Sequence, residues 1–395
     1  MNYKQTKIAC YVGFTVQAVI NNFLPILFVV FQSNYALNYE KLGRLLFINF
    51  SIQIISDILT PYISKFIGYR KTILLSHFLA AAGLCLLCIL PSVFSSIYTA
   101  MAVSIAVYAF GSGVIEVILS PLVSVLPSKS PSASMAFTHS FYCWGQVATV
   151  ILTSAMVTLF GFSGWRFIPL LWAVVPAVNF VLFLFVPIKE PAAAPKEENR
   201  REIFKTREFF CFAVFMVCAG VSEITMSEWT SVFAQNSLGI SKYTGDLLGP
   251  GAFAVCMGAG RMIFGSLSGR FSVRRALIIN NFLCFLCYLA VGISNSPVLS
   301  LLACALCGLT VSLSWPGTYS LGASRFPNGG TFMFGVFALC GDLGCSAGPW
   351  LLGFVADKIS IKAGFSVCSV FPLLMAVTAL FVLKEKDCKP HFYNV

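Results

Sequence analysis

The chain has 395 residues, of which 58% are apolar and 10% charged, with a net charge of +11 and a mean hydropathy of +0.85. Soluble domains carry roughly a quarter charged residues, so this composition excludes a soluble enzyme, a nucleic-acid-binding module and a disordered scaffold. The positive charges sit in short loops between apolar runs, which argues against nucleic acid as a partner. The strand alternation of a membrane β-barrel is absent.

A bilayer-spanning helix takes about 20 apolar residues. Taken in chain order, the apolar runs fall near 8–31, 42–64, 73–94, 97–125, 137–160, 166–187, 209–234, 246–268, 276–294, 298–323, 332–355 and 364–383. They predict an all-α membrane protein of twelve transmembrane helices. The first run is too long for a cleavable signal peptide and lacks a cleavage site. The longest hydrophilic stretch, KEPAAAPKEENRREIFKTRE (189–208), divides the chain into an N-terminal six-helix bundle (1–188), a central loop (189–208) and a C-terminal six-helix bundle (209–395). Of the 26 Lys and Arg, nineteen fall on the side of the termini and central loop, six fall on the other, and Arg261 lies within a helix. By the positive-inside rule both termini are expected in the cytoplasm, and the protein in the cell (plasma or inner) membrane.

The halves read as repeats of each other. GYRKTILL (68–75) follows helix 2, and SVRRALII (272–279) follows helix 8. Gly113 and Ser120-Pro121 of helix 4 reappear 195 residues later as Gly308 and Trp315-Pro316 of helix 10. Phe141 and Gly145-Gln146 of helix 5 match Phe337 and Gly341-Asp342 of helix 11 at an offset of 196. Parallel repeats of this kind imply a pseudo-two-fold axis along the membrane normal and a midplane cavity between the halves.

Ionisable groups at membrane depth cost roughly 2.5–3.5 kcal/mol each on insertion scales, so they are expected to face a wet cavity. Five acids sit within the predicted spans: Asp57, Glu116, Glu223, Glu228 and Asp342. Glu116 is mid-helix 4, where burial favours the neutral form and makes reversible protonation possible. Glu223 and Glu228 of helix 7 lie about 140° apart, and Glu223 shares its face with Ser227 and Thr230. Trp229 is placed to stack on a ligand ring. Asp342 lies among Gly341, Gly344 and Gly348, which permit close helix approach. His139, Tyr142 and Gln146 form one polar stripe on helix 5. Trp315-Pro316 is expected to kink helix 10 and present an aromatic wall. Aromatic faces with amide and carboxylate hydrogen bonds suit a neutral polyol.

Asp57, two turns from the cytoplasmic end of helix 2, is expected in gating contacts with basic loop residues. The pairs Arg70/Lys71 and Arg274/Arg275 are expected to orient the protein and to hold an inward gate shut. Arg261 is expected to pair with one of the intramembrane acids. Fourteen of the 15 cysteines, Cys10 included, lie in or beside apolar runs and read as packing residues. Cys85/Cys88, Cys284/Cys287 and Cys304/Cys307 have C-x-x-C spacing, but no second pair or histidine stands beside any of them. No metal and no cofactor is expected.

Two six-helix halves, a central loop and basic turns after helices 2 and 8 resemble the major facilitator superfamily over essentially the whole chain. Its loop signature (Gly, an acid–basic pair, then a basic pair) is matched by Gly265 to Arg275, with Gly269 where the acid belongs. The first copy keeps Gly68, Arg70 and Lys71. Within the superfamily the chain looks most like the fucose permease branch of sugar:proton symporters. The shared features are an acid five residues before a proline (Glu116, Pro121), THSFYCWG in helix 5, Arg261 and Arg270 around helix 8, and SWPGTYSLG (314–322) in helix 10. The branch also places an aspartate in helix 1, where this chain offers Gln17, Asn21 and Asn22.

The resemblance implies the major facilitator fold and alternating access, with Glu116 as proton carrier. The expected ligand is a monosaccharide or similar small polar solute held by Asn22, His139, Tyr142, Gln146, Glu223, Trp229, Trp315 and Asp342. The coupling ion is expected to be H+ ahead of Na+, and the protein a monomer in the lipid bilayer. One rival is an exporter of amphipathic compounds on the same fold. A membrane enzyme would need clustered catalytic groups, and a receptor a soluble domain; the sequence shows neither.

Overall fold

The computed structural model describes residues 2–127, 131–189, 206–266, 272–326 and 330–382. Among them there is no strand, and twelve helices are long and apolar enough to cross a membrane. The chain divides into two compact units, Met1–Ala194 and Pro195–Val395.

In the first unit, α1 is Tyr3–Ile26, continued by a short helix at Phe28–Tyr35. Asn2 and Gln5 start it with a reciprocal capping box, Asn2 N–H donating to Gln5 Oε1 at 2.8 Å. α2 is Tyr39–Ile67, capped by Asn38. The others are α3, Tyr69–Ile89 with a 3-10 turn Leu90–Ser92; α4, Ile97–Val125; α5, Pro131–Phe160; and α6, Phe167–Phe185.

The second unit opens with α7, Arg207–Asn236, capped by Thr206. α8 is composite: Lys242–Asp246, a π-helical turn Leu247–Gly251, then Ala252–Ser266. Pro250 has no N–H to give to the Asp246 carbonyl four residues back, which locates the irregular turn. α9 is Val273–Ile293. α10 is Pro297–Val311 followed by Ser314–Arg325. Its break at Ser312–Leu313 is where Pro316 cannot supply the bond to the Ser312 carbonyl, so the expected kink is present. α11 is Gly330–Lys358, and α12 is Ile361–Cys368 followed by Val370–Val382. Several spans run three to six residues beyond the apolar runs, because polar caps and amphipathic ends extend a helix past its apolar stretch.

The two units use the same helix pairings. α1 packs on α4, α5 and α6, and α7 packs on α10, α11 and α12. α4 packs on α2 and α3, as α10 does on α8 and α9, and α3–α6 is matched by α9–α12. The repeated glycines make one of these joints possible. A Cβ on Gly113 of α4 would lie 1.9 Å from Ser56 Oγ and 2.9 Å from the Gln53 carbonyl of α2. A Cβ on Gly308 of α10 would lie 2.2 Å from the Phe253 carbonyl of α8. Membrane helices gain no hydrophobic drive between themselves, so backbone closeness at small residues carries the packing. Gly308→Val is therefore expected to lower the unfolding temperature in detergent, from overpacking worth about 1–3 kcal/mol. Gly335→Ala, where a Cβ meets nothing within 4 Å, should leave it unchanged. Equal melting of the two variants, followed by exposure of the buried cysteines to a thiol dye, would refute the close-packing account.

Candidate functional site

In the first unit an amide-rich cluster forms where α1 meets α2, α4 and α5. Gln17 of α1 donates its amide N–H to the Glu116 carboxylate of α4. One turn on, Asn21 Oδ1 accepts from Gln53 Nε2 at 2.8 Å and from Asn49 Nδ2 at 3.3 Å, both on α2. Asn22 Nδ2 donates to the Ala18 carbonyl at 2.9 Å and to the Tyr142 hydroxyl of α5 at 3.4 Å. Gln146 is buried on the same helix as Tyr142. Tyr11 and Phe141 stack face to face, centroids 4.5 Å apart, at the α1–α5 joint. Asp57 rests against α4, its Oδ1 3.0 Å from where a Cβ on Gly113 would be. His139 is on α5, but its side chain lies outside the described residues.

Of the expected residues, this cluster brings together Glu116, Asn22 and Tyr142. The amides of Asn21, Asn49 and Gln53 are additions. Their signal in the sequence was a pair of amides four residues apart, Asn49 and Gln53, in an otherwise apolar run, which puts both on one helix face.

The second unit answers the question of Arg261. Its Nη2 reaches both carboxylate oxygens of Glu223, at 3.1 and 3.3 Å. Asp342 is half-buried beside Gly341 on α11. Trp315 lies with its ring edge over Gly341, where a Cβ would sit 2.2 Å from Trp315 Cη2. The tryptophan thus spans α10 and α11, with Tyr319 6.3 Å away centroid to centroid.

Three expectations need correction. Trp229 is fully buried and its indole N–H donates to the Pro349 carbonyl at 3.0 Å. It fills the α7–α11 joint, so no face is open for a ligand ring. Arg70 does not stand free as a gate. Its Nη1 donates to the carbonyls of Phe183 and Leu184 at 2.7 and 3.0 Å, and its Nη2 to that of Val186 at 3.0 Å. Arg274 does the same at the other repeat, donating to the Leu380 carbonyl at 2.8 Å. Each arginine satisfies the last carbonyls of its own unit's sixth helix, where the helix dipole favours a cation. Lys71 and Arg275 are exposed, and Arg270 lies outside the described residues.

The third correction concerns the cysteines. The α9 and α10 C-x-x-C motifs do meet across the helix pair, with Cys284 Sγ 3.7 Å from Cys307 Sγ. Among the described residues no group of three or more His, Cys, Asp or Glu could hold a metal ion.

The sequence reading also missed an ion pair. Lys242 Nζ binds Asp246 Oδ2 at 2.6 Å, and Ser231 of α7 donates to Asp246 Oδ1. The residues preceding Asp246 read as loop because the apolar run starts only there.

The family model for the Major Facilitator Superfamily matches residues 9–349 and, again, 251–392. An uncharacterized MFS-type transporter of Yersinia pestis is 24% identical over 366 residues, covering 89% of each chain. Among solved structures, a D-xylose-proton symporter superposes with a TM-score of 0.80 at 13% identity, covering 96% of this chain and 98% of that one. A nucleoside transporter gives 0.78 at 13%, over 97% and 100%. The E. coli fucose:proton symporter gives 0.66 at 18%, over 97% and 100%. A family model running through both sets of six spans, on helices paired alike in each unit, makes this chain a member of the major facilitator superfamily: a multi-pass membrane transporter, not an enzyme.

Proposed function

We propose that the protein is a proton-coupled symporter of a small polar solute, most like a monosaccharide, working by alternating access as a monomer in the cell membrane with both termini cytoplasmic. The observation that carries this reading is the Gln17–Glu116 contact inside the amide cluster of α1, α2, α4 and α5. An amide is a suitable partner for a carboxylate that changes protonation. Its N–H donates to the charged form, and turned over, its carbonyl oxygen accepts from the neutral acid's O–H. Gln17 can therefore hydrogen-bond to either protonation state of Glu116.

The amides of Asn21, Asn22, Asn49 and Gln53 and the Tyr142 hydroxyl offer both donors and acceptors, which suits a hydroxyl-rich neutral solute better than a fixed charge. Trp315 supplies an aromatic edge for sugar C–H groups, with Asp342 and the Glu223–Arg261 pair as the polar groups of the second unit. Gln146 and His139 complete the proposed set. The fucose:proton and D-xylose-proton symporters among the structural relatives support the substrate class.

The test is uptake of labelled monosaccharides into proteoliposomes, with and without an inward pH gradient. Accumulation of at least one sugar that collapses with a protonophore supports the reading. Failure of every monosaccharide to enter or to exchange would overturn the substrate class, and accumulation indifferent to the protonophore would overturn the coupling.

A further inference from the structure

α7 carries a row of polar side chains that the reading above leaves unused. Thr225, Glu228, Ser231 and Gln235 follow at intervals of three, three and four residues, which sets them within about 120° of arc on one side of the helix. Glu228 is 2% exposed, and its Oε2 has no hydrogen-bond partner among the described residues. Thr225 Oγ1, fully buried one turn away, is likewise without a partner, and so is Gln235 Oε1. Such atoms are rare in folded proteins, and each calls for an explanation.

The charged and titratable groups on neighbouring elements include Lys242, Asp246 and Arg261 of α8, Tyr288 of α9, Cys304 and Cys307 of α10, Asp342 and Cys345 of α11 and Cys368 of α12. None of them is hydrogen-bonded or ion-paired to Glu228. Lys242 holds Asp246 at 2.6 Å, Arg261 holds Glu223 at 3.1 Å, and the Tyr288 hydroxyl donates to the Ser222 carbonyl at 2.8 Å. A charged carboxylate in this position would stand buried without a cation or an N–H donor, which costs several kcal/mol. A neutral carboxyl avoids that cost.

The row also leads somewhere. One turn beyond Glu228, Ser231 donates to Asp246 Oδ1 and accepts from Lys242 Nζ at 3.4 Å. Ser231 thus ties the α7 row to the Lys242–Asp246 pair at the start of α8.

We propose that Glu228 is a second proton-exchange site. A hydronium ion gives its proton to the Glu228 carboxylate, which becomes a carboxyl, and leaves water. Unloading is the reverse transfer. The proposal deepens the reading of the chain as a proton-coupled carrier, but its first test needs no transport.

Dicyclohexylcarbodiimide adds to protonated carboxyls in apolar surroundings and is fixed there as an N-acylurea. The full chain in liposomes, treated near pH 7, is digested and sequenced by mass spectrometry through the peptide that holds Glu223 and Glu228. Glu228 should carry roughly tenfold more adduct than the Arg261-paired Glu223, from the difference in burial without a counter-charge. The adduct should disappear in Glu228→Gln, and sodium at constant pH should not change it. Adduct absent from Glu228, or equal on both acids, overturns the proposal. Protection by sodium overturns it as well, because the site would then hold a metal cation.

The second measurement is the number of protons moved per substrate. Glu228→Gln should halve it, the Glu228 proton moving only in a cycle in which Glu116 also loads, and an unchanged ratio refutes the exchange role. If Glu116→Gln turns out to concentrate substrate normally while Glu228 labels, the coupling assignment fails and this one stands.

Discussion

Glu116→Gln is expected to abolish concentrative uptake while leaving counterflow exchange intact. The substituted side chain has the same shape and keeps a carbonyl oxygen, so Gln17 can still donate to it and the α1–α4 joint should survive. What it loses is the ability to take up and release a proton. One pH unit across the membrane is worth about 1.4 kcal/mol per proton, which supports about tenfold accumulation of a co-transported solute. In the variant that ratio should fall to one, with labelled sugar still exchanging against unlabelled sugar on the other side. A variant that accumulates sugar to the wild-type level removes Glu116 from coupling. A variant that neither accumulates nor exchanges shows a binding or folding role instead, and its melting temperature separates those two.

Arg261→Leu should be the most damaging single change in the second unit. Glu223 is 6% exposed, and Arg261 is its counter-charge at 3.1 Å. Removing one partner of a fully buried pair costs about 3–5 kcal/mol, because a charge is left behind without solvent. The arginine here is partly open, with 31% of its side chain exposed, so about 2–3 kcal/mol is the fitting expectation. The double variant Glu223→Gln/Arg261→Gln removes both charges and should recover most of the loss. A thermal-unfolding series in detergent reads both. If the double variant melts as low as Arg261→Leu, the pair is not the source of the effect.

Much of this fold was legible in the chain because each span is an apolar run of membrane length and the loops carry an uneven load of Lys and Arg. The repeat was legible for a local reason as well. Gly113 and Gly308 occupy matching places because each must let a neighbouring helix come within backbone contact. What stayed hidden were pairings between helices far apart in sequence. Nothing near Arg70 says that its guanidinium will meet the carbonyls of Phe183, Leu184 and Val186. Trp229 reads equally well as a ligand platform and as packing until the Pro349 carbonyl is found against its N–H.

Lys242 and Asp246 were misplaced because hydropathy marks a span's start by its apolar residues, and a buried ion pair at a helix end reads as solvent-facing turn. Conversely, the helix-7 acids were recognised at once, since a carboxylate in an apolar run is costly wherever it points. Which of them has a partner is a tertiary fact, as Glu223 with its arginine and Glu228, its Oε2 unpartnered among the described residues, demonstrate.

Arg70 and Arg274 impose an order on biosynthesis. The guanidinium of Arg70 has no carbonyls to bind until the ribosome has passed Val186, and that of Arg274 none until it has passed Leu380. In each group of six spans the arginine clasp closes on that group's own last member, so the first group carries its clasp without any residue of the second. A product truncated ahead of α6 or α12 would leave a cation stranded at the bilayer edge, a mark by which quality-control proteases could recognise it.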